Sequence, residues 1–210
     1  METLDYKKAY KDLYQPKGQP GIIQVPKISF VAVRGQGDPN EENGAYARAL
    51  SLLYGISFTI KMSYKGERKI EGYFPYVVPP LEGLWWMPDG KPGIDYSRKS
   101  DFCWISMIRL PEFVDQEIFA WAKEAAAQKK KIDTSPAELF CWEEGLCVQA
   151  MHVGSYNDEP ATIARMTDFV MENGYKEDFS PNRFHHEIYL SDPRKTAPEK
   201  CKTIIRHPIK

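Results

Sequence analysis

The chain has 210 residues, 42% hydrophobic and 27% charged, enough to bury one large core or two small coupled ones. Its 28 basic and 29 acidic side chains leave a net charge of −1, which gives no global electrostatic footprint for nucleic acid or an anionic membrane surface. No window approaches the roughly 18 uninterrupted apolar residues of a spanning helix, and Met1 to Pro20 lacks a signal peptide's apolar core, so the sequence predicts a cytoplasmic protein with no nucleic-acid or membrane partner.

Ile28 to Val33 is a β-branched and aromatic run that continues through Arg34 to Gly35, the pattern of a strand. Beyond a turn-rich segment, Tyr46, Leu50 and Leu53 recur at helical spacing among Ala45, Ala47 and Ala49, predicting a helix that ends near Tyr54-Gly55. Strand-like sequence resumes around Glu71 to Met87 and Phe102 to Leu110. Asp115 opens a predicted helix with Ile118, Phe119, Ala122 and Ala126 on one face, and its closing Lys129-Lys130-Lys131 complements the helix dipole. Leu146 to Val153 reads as a strand closed by Gly154; a helix follows Asp158, with Pro160 in its first turn, Ile163, Met166 and Val170 as its stripe, and Asn173-Gly174 as its end. Phe184 to Ser191 and Lys202 to Arg206 supply the remaining strands.

Gly35 to Gly55 and Gly154 to Gly174 both span 20 residues, so a strand, glycine, helix, glycine frame recurs at an offset of 119 (154 − 35). The predicted fold is therefore α+β: a pseudo-twofold duplication of a strand-helix-strand-strand module, with antiparallel sheets, helices on one face and a ligand groove on the other. One domain covers residues 1–210, with a first module at about 20–112, a second at about 137–210 and a linking helix at about 115–131. Cys103, Cys141, Cys147 and Cys201 lack CxxC spacing and read as thiols of a reducing compartment.

Strand alternation from His185 sends His186, Ile188 and Leu190 to one face, under the helices, and His185, Glu187, Tyr189 and Ser191 to the other, where a cavity is expected. A carboxylate half-buried among rings either pairs with a cationic ligand or acts as a general base; a solvated polar sheet face fits the same pattern. The adjacent histidines point to opposite faces of a strand, and with four histidines in all and no HExxH or CxxC, no metal is expected. Neither GxGxxG, a Walker loop nor GxSxG is present, so no cofactor is expected. In Tyr73 to Trp86, prolines, a glycine and paired indoles suit a cleft wall better than a continuous strand, which makes Tyr76, Glu82 and Trp86 ligand-binding candidates, with one indole in the cleft and the other in the core. Glu82 resembles Glu187, as if each half offered one acid to a shared groove, given an insertion of 14 residues in the first half. Trp104 serves as cavity wall or core, and Tyr156, between Gly154 and the helix, can reach over a groove.

Together these pieces resemble the GyrI-like small-molecule-binding family, related to effector domains of multidrug-sensing regulators. The resemblance is carried by Asp5-Tyr6-Lys7-Lys8, Gly35-Gln36-Gly37-Asp38-Pro39-Asn40, Leu53-Tyr54-Gly55-Ile56, Tyr76 to Trp86, His152-Val153-Gly154-Ser155-Tyr156 and His185 to Arg194. It implies two modules enclosing an aromatic groove with a buried acid, which by strand position is Glu187, and a flat hydrophobic or cationic aromatic small molecule as ligand. Regulators of the family carry a helix-turn-helix upstream; fewer than 30 residues precede the first strand here, so direct promoter binding is not expected. Some free-standing members hydrolyse cyclopropanoid DNA-alkylating compounds. The resemblance thus implies a detoxifying, cofactor-independent hydrolase in which Trp86, Trp104 and Tyr156 hold the substrate, Glu187 activates water, and Tyr189 or Tyr156 donates to the developing oxyanion. The same groove in a non-catalytic binder or sensor is the alternative, and a protein-interaction module is a third.

Overall fold

The computed structural model describes residues 2–91 and 93–210. Period-two alternation of large apolar residues organises six strands: β1 (Gly21–Gln36), β2 (Leu81–Trp86), β3 (Cys103–Arg109), β4 (Ala137–Val153), β5 (His185–Tyr189) and β6 (Lys202–Pro208). All pair antiparallel and close into a barrel in the order β1-β3-β2-β5-β6-β4. Exchanging β1, β3, β2 for β4, β6, β5 reproduces this order, so the two strand-helix-strand-strand halves meet at the β1–β4 and β2–β5 pairs. The long helices are α3 (Ala45–Lys61), α4 (Gln116–Lys130) and α5 (Glu159–Glu172), preceded by two four-residue turns, α1 (Tyr6–Ala9) and α2 (Lys11–Tyr14). None of these is long and apolar enough to cross a membrane.

Each strand divides its side chains between two cores. Outside the barrel, Val31, Val33, Trp104 and Ile108 meet Leu52, Leu53, Ile56 and Ile60 of α3, while Val148, Ala150 and Ile205 meet Met166 and Val170 of α5. Full burial of each such aliphatic side chain contributes about 1.5–3 kcal/mol, which holds the helices in place. Inside, Phe30, Ala32, Leu84, Ile105 and Met107 form one cluster, and Ile188 and Ile204 pack with Tyr6, Leu13 and Tyr14 from the two short turns.

Several elements depart from their sequence expectations for identifiable reasons. The α3 helix runs through Tyr54-Gly55 to Lys61. A helical glycine costs roughly 0.5–1 kcal/mol, but Gly55 admits Ile132 and Lys130 against the helix and is flanked by the buried Leu53, Ile56 and Ile60. Gly174, by contrast, ends α5 with φ +77°, so the two glycines are not equivalent and the repeat rests on strand order instead. The β2 strand begins only at Leu81, because Pro75, Pro79 and Pro80 cannot donate to a ladder. The α4 helix follows expectation: Asp115 Oδ1 accepts from Ile118 N at 2.8 Å, and Lys131 closes it in the left-handed region.

The groove lies on the helix-bearing face, not opposite it. The α3 helix covers β1 and β3 and α5 covers β4, so the central β2–β5 pair is left bare between them. The other face is the barrel interior, and His186 and Ile188 point there instead of under the helices.

Candidate functional site

The bare β2–β5 pair floors a cavity of about 890 Å³, within the size range of small-molecule sites. Tyr46, Leu50, Tyr54 and Phe58 of α3 form one wall; Tyr156, in the turn before α5, and Glu159, the first residue of α5, form the other. Leu81 and Trp85 of β2 and Glu187 and Tyr189 of β5 rise from the floor, Tyr96 and Phe102 close one end, and Asp192 and Arg194 stand at the rim. Register explains the floor: Gly83 pairs with Glu187, Leu81 with Tyr189 and Trp85 with His185. Glycine at 83 matters because a Cβ there would lie 2.6 Å from Trp85 Nε1, so the indole can fold back over the backbone and donate to Tyr189 Oη at 3.0 Å.

The walls are aromatic and interlocked. Tyr46 lies 5.4 Å from Trp85 and edge-on to Trp104 at 5.2 Å; Phe102 meets Trp85 at 5.8 Å, and Tyr156 meets Tyr189 edge-on at 5.9 Å. Such walls suit a flat conjugated ligand, because offset and edge contacts supply attraction beyond area burial. Burial raises the phenols of Tyr46, Tyr96, Tyr156 and Tyr189 well above the ordinary tyrosine value, the neighbouring carboxylates adding to the effect, so all four keep their protons and remain donors.

Two carboxyls meet where the Glu159 wall joins the floor. Burial and the charge of Glu187 push Glu159 well above the usual carboxylate range. Burial pushes Glu187 up as well, but the hydrogen bond and charge of His185, with further bonds from Tyr189 and Glu159, outweigh it and hold that carboxyl low. The neighbouring acids therefore separate into a protonated Glu159 and an anionic Glu187, the way one site holds an acid and a base at the same pH. Glu159 Oε2 accepts from Tyr96 Oη at 2.9 Å, while the buried Oε1 has no other partner among the described residues; a proton on that oxygen allows it to donate. Behind Glu187, His185 Nε2 lies 2.8 Å from Glu187 Oε1.

This protonation state predicts a pH signature in stability. A carboxyl raised in the folded state contributes stability fully present below its unfolded value, near 4.5, and lost as pH rises through the folded one. Thermal melts of Glu159→Gln against wild type, from about pH 5 to 9, are expected to show the variant gaining on wild type as pH rises. Parallel curves would remove the assignment of a proton to Glu159.

Among the described residues, Glu159, His185 and Glu187 bring one side-chain atom each within 4.8 Å of one another. Both nitrogens of His185 are already engaged, by Glu187 and by His207, so a cation there must displace the hydrogen bond to Glu187.

Of the sequence candidates, Glu187, Tyr156 and Tyr189 line the cavity and His185 backs Glu187. The other four lie elsewhere. Trp104 is buried under α3, beneath Tyr46, where its neighbours on β1 and β3 share the helix-side core. Trp86, one residue past Trp85, faces away and packs on Phe184 at 4.9 Å. Glu82 likewise points into the barrel, where Oε2 lies 3.0 Å from His186 Nε2; it and Glu187 occupy opposite faces and share no groove. Tyr76 is buried among Phe74 and Phe113, outside the cavity lining. Glu159, Tyr96, Tyr46 and Phe102 are not among the sequence candidates, and of the two indoles sharing one expected place in the cleft it is Trp85, not Trp86, that lines the cavity. An acid in a helix's first turn reads as a dipole complement, which hides Glu159; only Trp85 carried a usable signal, since alternation places it on the face of Leu81 and Gly83.

A family model of GyrI-like small molecule binding domains matches residues 18–210. A crystal structure described as a hydrolase from Listeria innocua is similar at 45% identity and TM-score 0.90, covering 99% of this chain and 100% of that one. An uncharacterized conserved protein from Listeria innocua is similar at 46% identity and TM-score 0.93, with the same coverage. The C-terminal domain of EcmrR shares the fold at 12% identity and TM-score 0.54, over 91% of this chain and 97% of that domain. No curated protein matches. The chain belongs to the GyrI-like small molecule binding domain family.

Proposed function

We propose that this protein is a cofactor-independent hydrolase that opens the strained ring of flat, aromatic cyclopropanoid alkylators and so detoxifies them. The observation that carries the reading is a pair of buried carboxyls, Glu187 backed by His185 at 2.8 Å and Glu159 beside it, in a ring-walled cavity. The similarity to Listeria proteins described as hydrolases adds support.

In this reading the flat substrate slides between Tyr46 and Trp85 on one side and Tyr156 on the other. Glu187 takes a proton from water as the water oxygen bonds to the cyclopropane methylene. The strained C–C bond breaks and its electron pair passes into the conjugated carbonyl. Tyr156 donates a hydrogen bond to the resulting oxyanion, the single hydrogen of Tyr189 being directed at Glu187, and the oxyanion takes up its proton on release into water. The water's second hydrogen stays with the new alcohol, and the proton left on Glu187 must be discharged before the next cycle. Proximity and general-base help of about 10²–10⁴-fold are adequate for an electrophile primed by strain.

One observation favours a second reading. An anion held among rings also suits a flat organic cation, which a non-catalytic sensor or sequestering protein would bind unchanged. Mass spectrometry of a cyclopropanoid alkylator incubated with substoichiometric protein separates the two: many water adducts per protein molecule support the hydrolase. Quenching of tryptophan fluorescence without a change in ligand mass leaves the binder.

A further inference from the structure

Behind the groove, four titratable side chains follow one another in hydrogen-bonding contact. Glu187 Oε1 lies 2.8 Å from His185 Nε2, His185 Nδ1 lies 2.8 Å from His207 Nε2, and His207 Nδ1 lies 3.2 Å from Glu177 Oε1. Both imidazoles are buried, whereas the Glu177 side chain is 29% exposed and takes no part in lining the cavity. We propose that His185, His207 and Glu177 form a proton relay joining the groove carboxylate Glu187 to solvent by a route that a bound ligand leaves open. The inference deepens the reading of Glu187 as the groove base and rests on it for its role in turnover.

The relay follows from counting hydrogens. Three contacts need three hydrogens, one each, because a carboxylate only accepts and an imidazole nitrogen facing another nitrogen needs one proton between them. Two neutral imidazoles supply two. A filled chain thus holds one proton beyond two carboxylates and two neutral rings. With that proton on Glu187, both rings donate toward Glu177; with it on Glu177, both donate toward Glu187. Three successive hops interconvert these states, each breaking one O–H or N–H bond as the next forms, and no oxidant or second substrate is consumed. Loss of the proton from Glu177 to water leaves Glu187 anionic, the state needed to accept a proton from the attacking water.

The surroundings bias the chain without breaking it. Glu159 from α5, Tyr46 from α3 and Tyr189 from β5 face Glu187. The Phe179 ring stands 4.9 Å from His207, with Glu144 of β4 contributing charge from further off. Thr167 of α5 donates to Glu177 Oε1 at 3.0 Å. The hydrogen bond and charge of His207 hold Glu177 below the usual carboxylate range, while burial pushes His207 down, so the terminal groups favour giving the proton up to water.

Imidazole ¹⁵N signals of the ligand-free protein test the relay without any assumption about catalysis. Glu177→Gln keeps the shape and an acceptor oxygen but removes the charge. It is expected to shift the signals of His185 as well as those of His207, because an amide in place of the terminal carboxylate changes which nitrogen of each ring carries the hydrogen, and to leave His152, outside the chain, unchanged. His185 signals that ignore Glu177→Gln while His207 responds would overturn the relay, whatever the enzyme does with substrate. Kinetics with a cyclopropanoid alkylator add a second readout. His207→Gln is expected to keep the first turnover per molecule and lower steady-state turnover about tenfold or more, since the proton then stays on Glu187. Equal loss of the first and later turnovers would count against proton discharge through His207. Should no variant or wild type turn the compound over, the hydrolase reading fails, and coupled imidazole signals would still establish the relay.

Discussion

Glu187→Gln is expected to lower turnover of a cyclopropanoid alkylator by about 10²–10⁴-fold while leaving its affinity within a few-fold. The substitution keeps the volume, leaves an oxygen to accept from Tyr189 and His185, and keeps the β2–β5 register that seats the residue opposite Gly83. It removes the negative charge and with it the ability to take a proton. In the proposed function, affinity for a neutral flat substrate comes from the rings of Tyr46, Trp85 and Tyr156, which the change does not touch. The pH profile should agree: Glu187 is held below the ordinary carboxylate value, so the wild-type rate is sustained from neutral pH down and falls only as acid protonates that carboxylate. An organic cation behaves in the opposite way, losing much of its affinity in Glu187→Gln because its buried counter-charge is gone. Chemical quench kinetics and a fluorescence titration on the same variant read both. Turnover equal to wild type would sink the assignment of Glu187 as base.

The duplication, the α+β class and the position of Glu187 were legible in the sequence because each rests on local periodicity. Alternation in β5 needs only the order of residues from His185 to Tyr189, and the helix stripes need only their spacing. What failed depends on what stands across from each face. Trp104 and Phe102 alternate together, yet α3 settles over Trp104 and leaves Phe102 at the cavity. Alternation groups Trp85 with Leu81 and Gly83, but only pairing of that set with Tyr189, Glu187 and His185 fixes it, and not Trp86, as the groove face. Glu82 looked like a second groove acid because a duplicated chain invites matching of like residues, but its face is set by pairing with Ile188, not by ancestry. Glu159 and Tyr96 come from segments 63 residues apart, and no local pattern links them.

Glu82 in fact belongs to a second polar cluster inside the barrel, and there the largest loss of stability is expected. Arg206 Nη1 lies 3.0 Å from Glu144 Oε2, His186 bridges Glu144 and Glu82 at 3.0 Å on each side, and Tyr14 Oη donates to Glu82 at 3.2 Å. Arg206 also donates to Gln149 and to the Leu13 carbonyl, tying the α2 turn to the barrel. Burial works against these charges, but His186 and Arg206 hold Glu144 down at about 2, and the two carboxylates outweigh burial to raise His186. Arg206→Met leaves Glu144 buried with half its partners and is expected to cost about 3–5 kcal/mol, roughly 6–20 °C in Tm for a chain of this size. The double change Glu144→Leu, Arg206→Met removes both charges and keeps the His186–Glu82 pair, so it should recover most of that loss; equal loss in both proteins would show that packing, not an unpaired charge, is responsible. The pH dependence has two edges of opposite sign. Glu144, depressed on folding, contributes stability above its ordinary value near 4.5 that is lost as pH falls through about 2. His186, raised on folding, contributes stability fully present below its ordinary value near 6.5 and lost as pH rises through its folded value. The cluster is therefore strongest between those two ordinary values, and Arg206→Met should flatten the acid edge while the groove, on the other face of the β2–β5 pair, keeps its affinity for a flat dye cation.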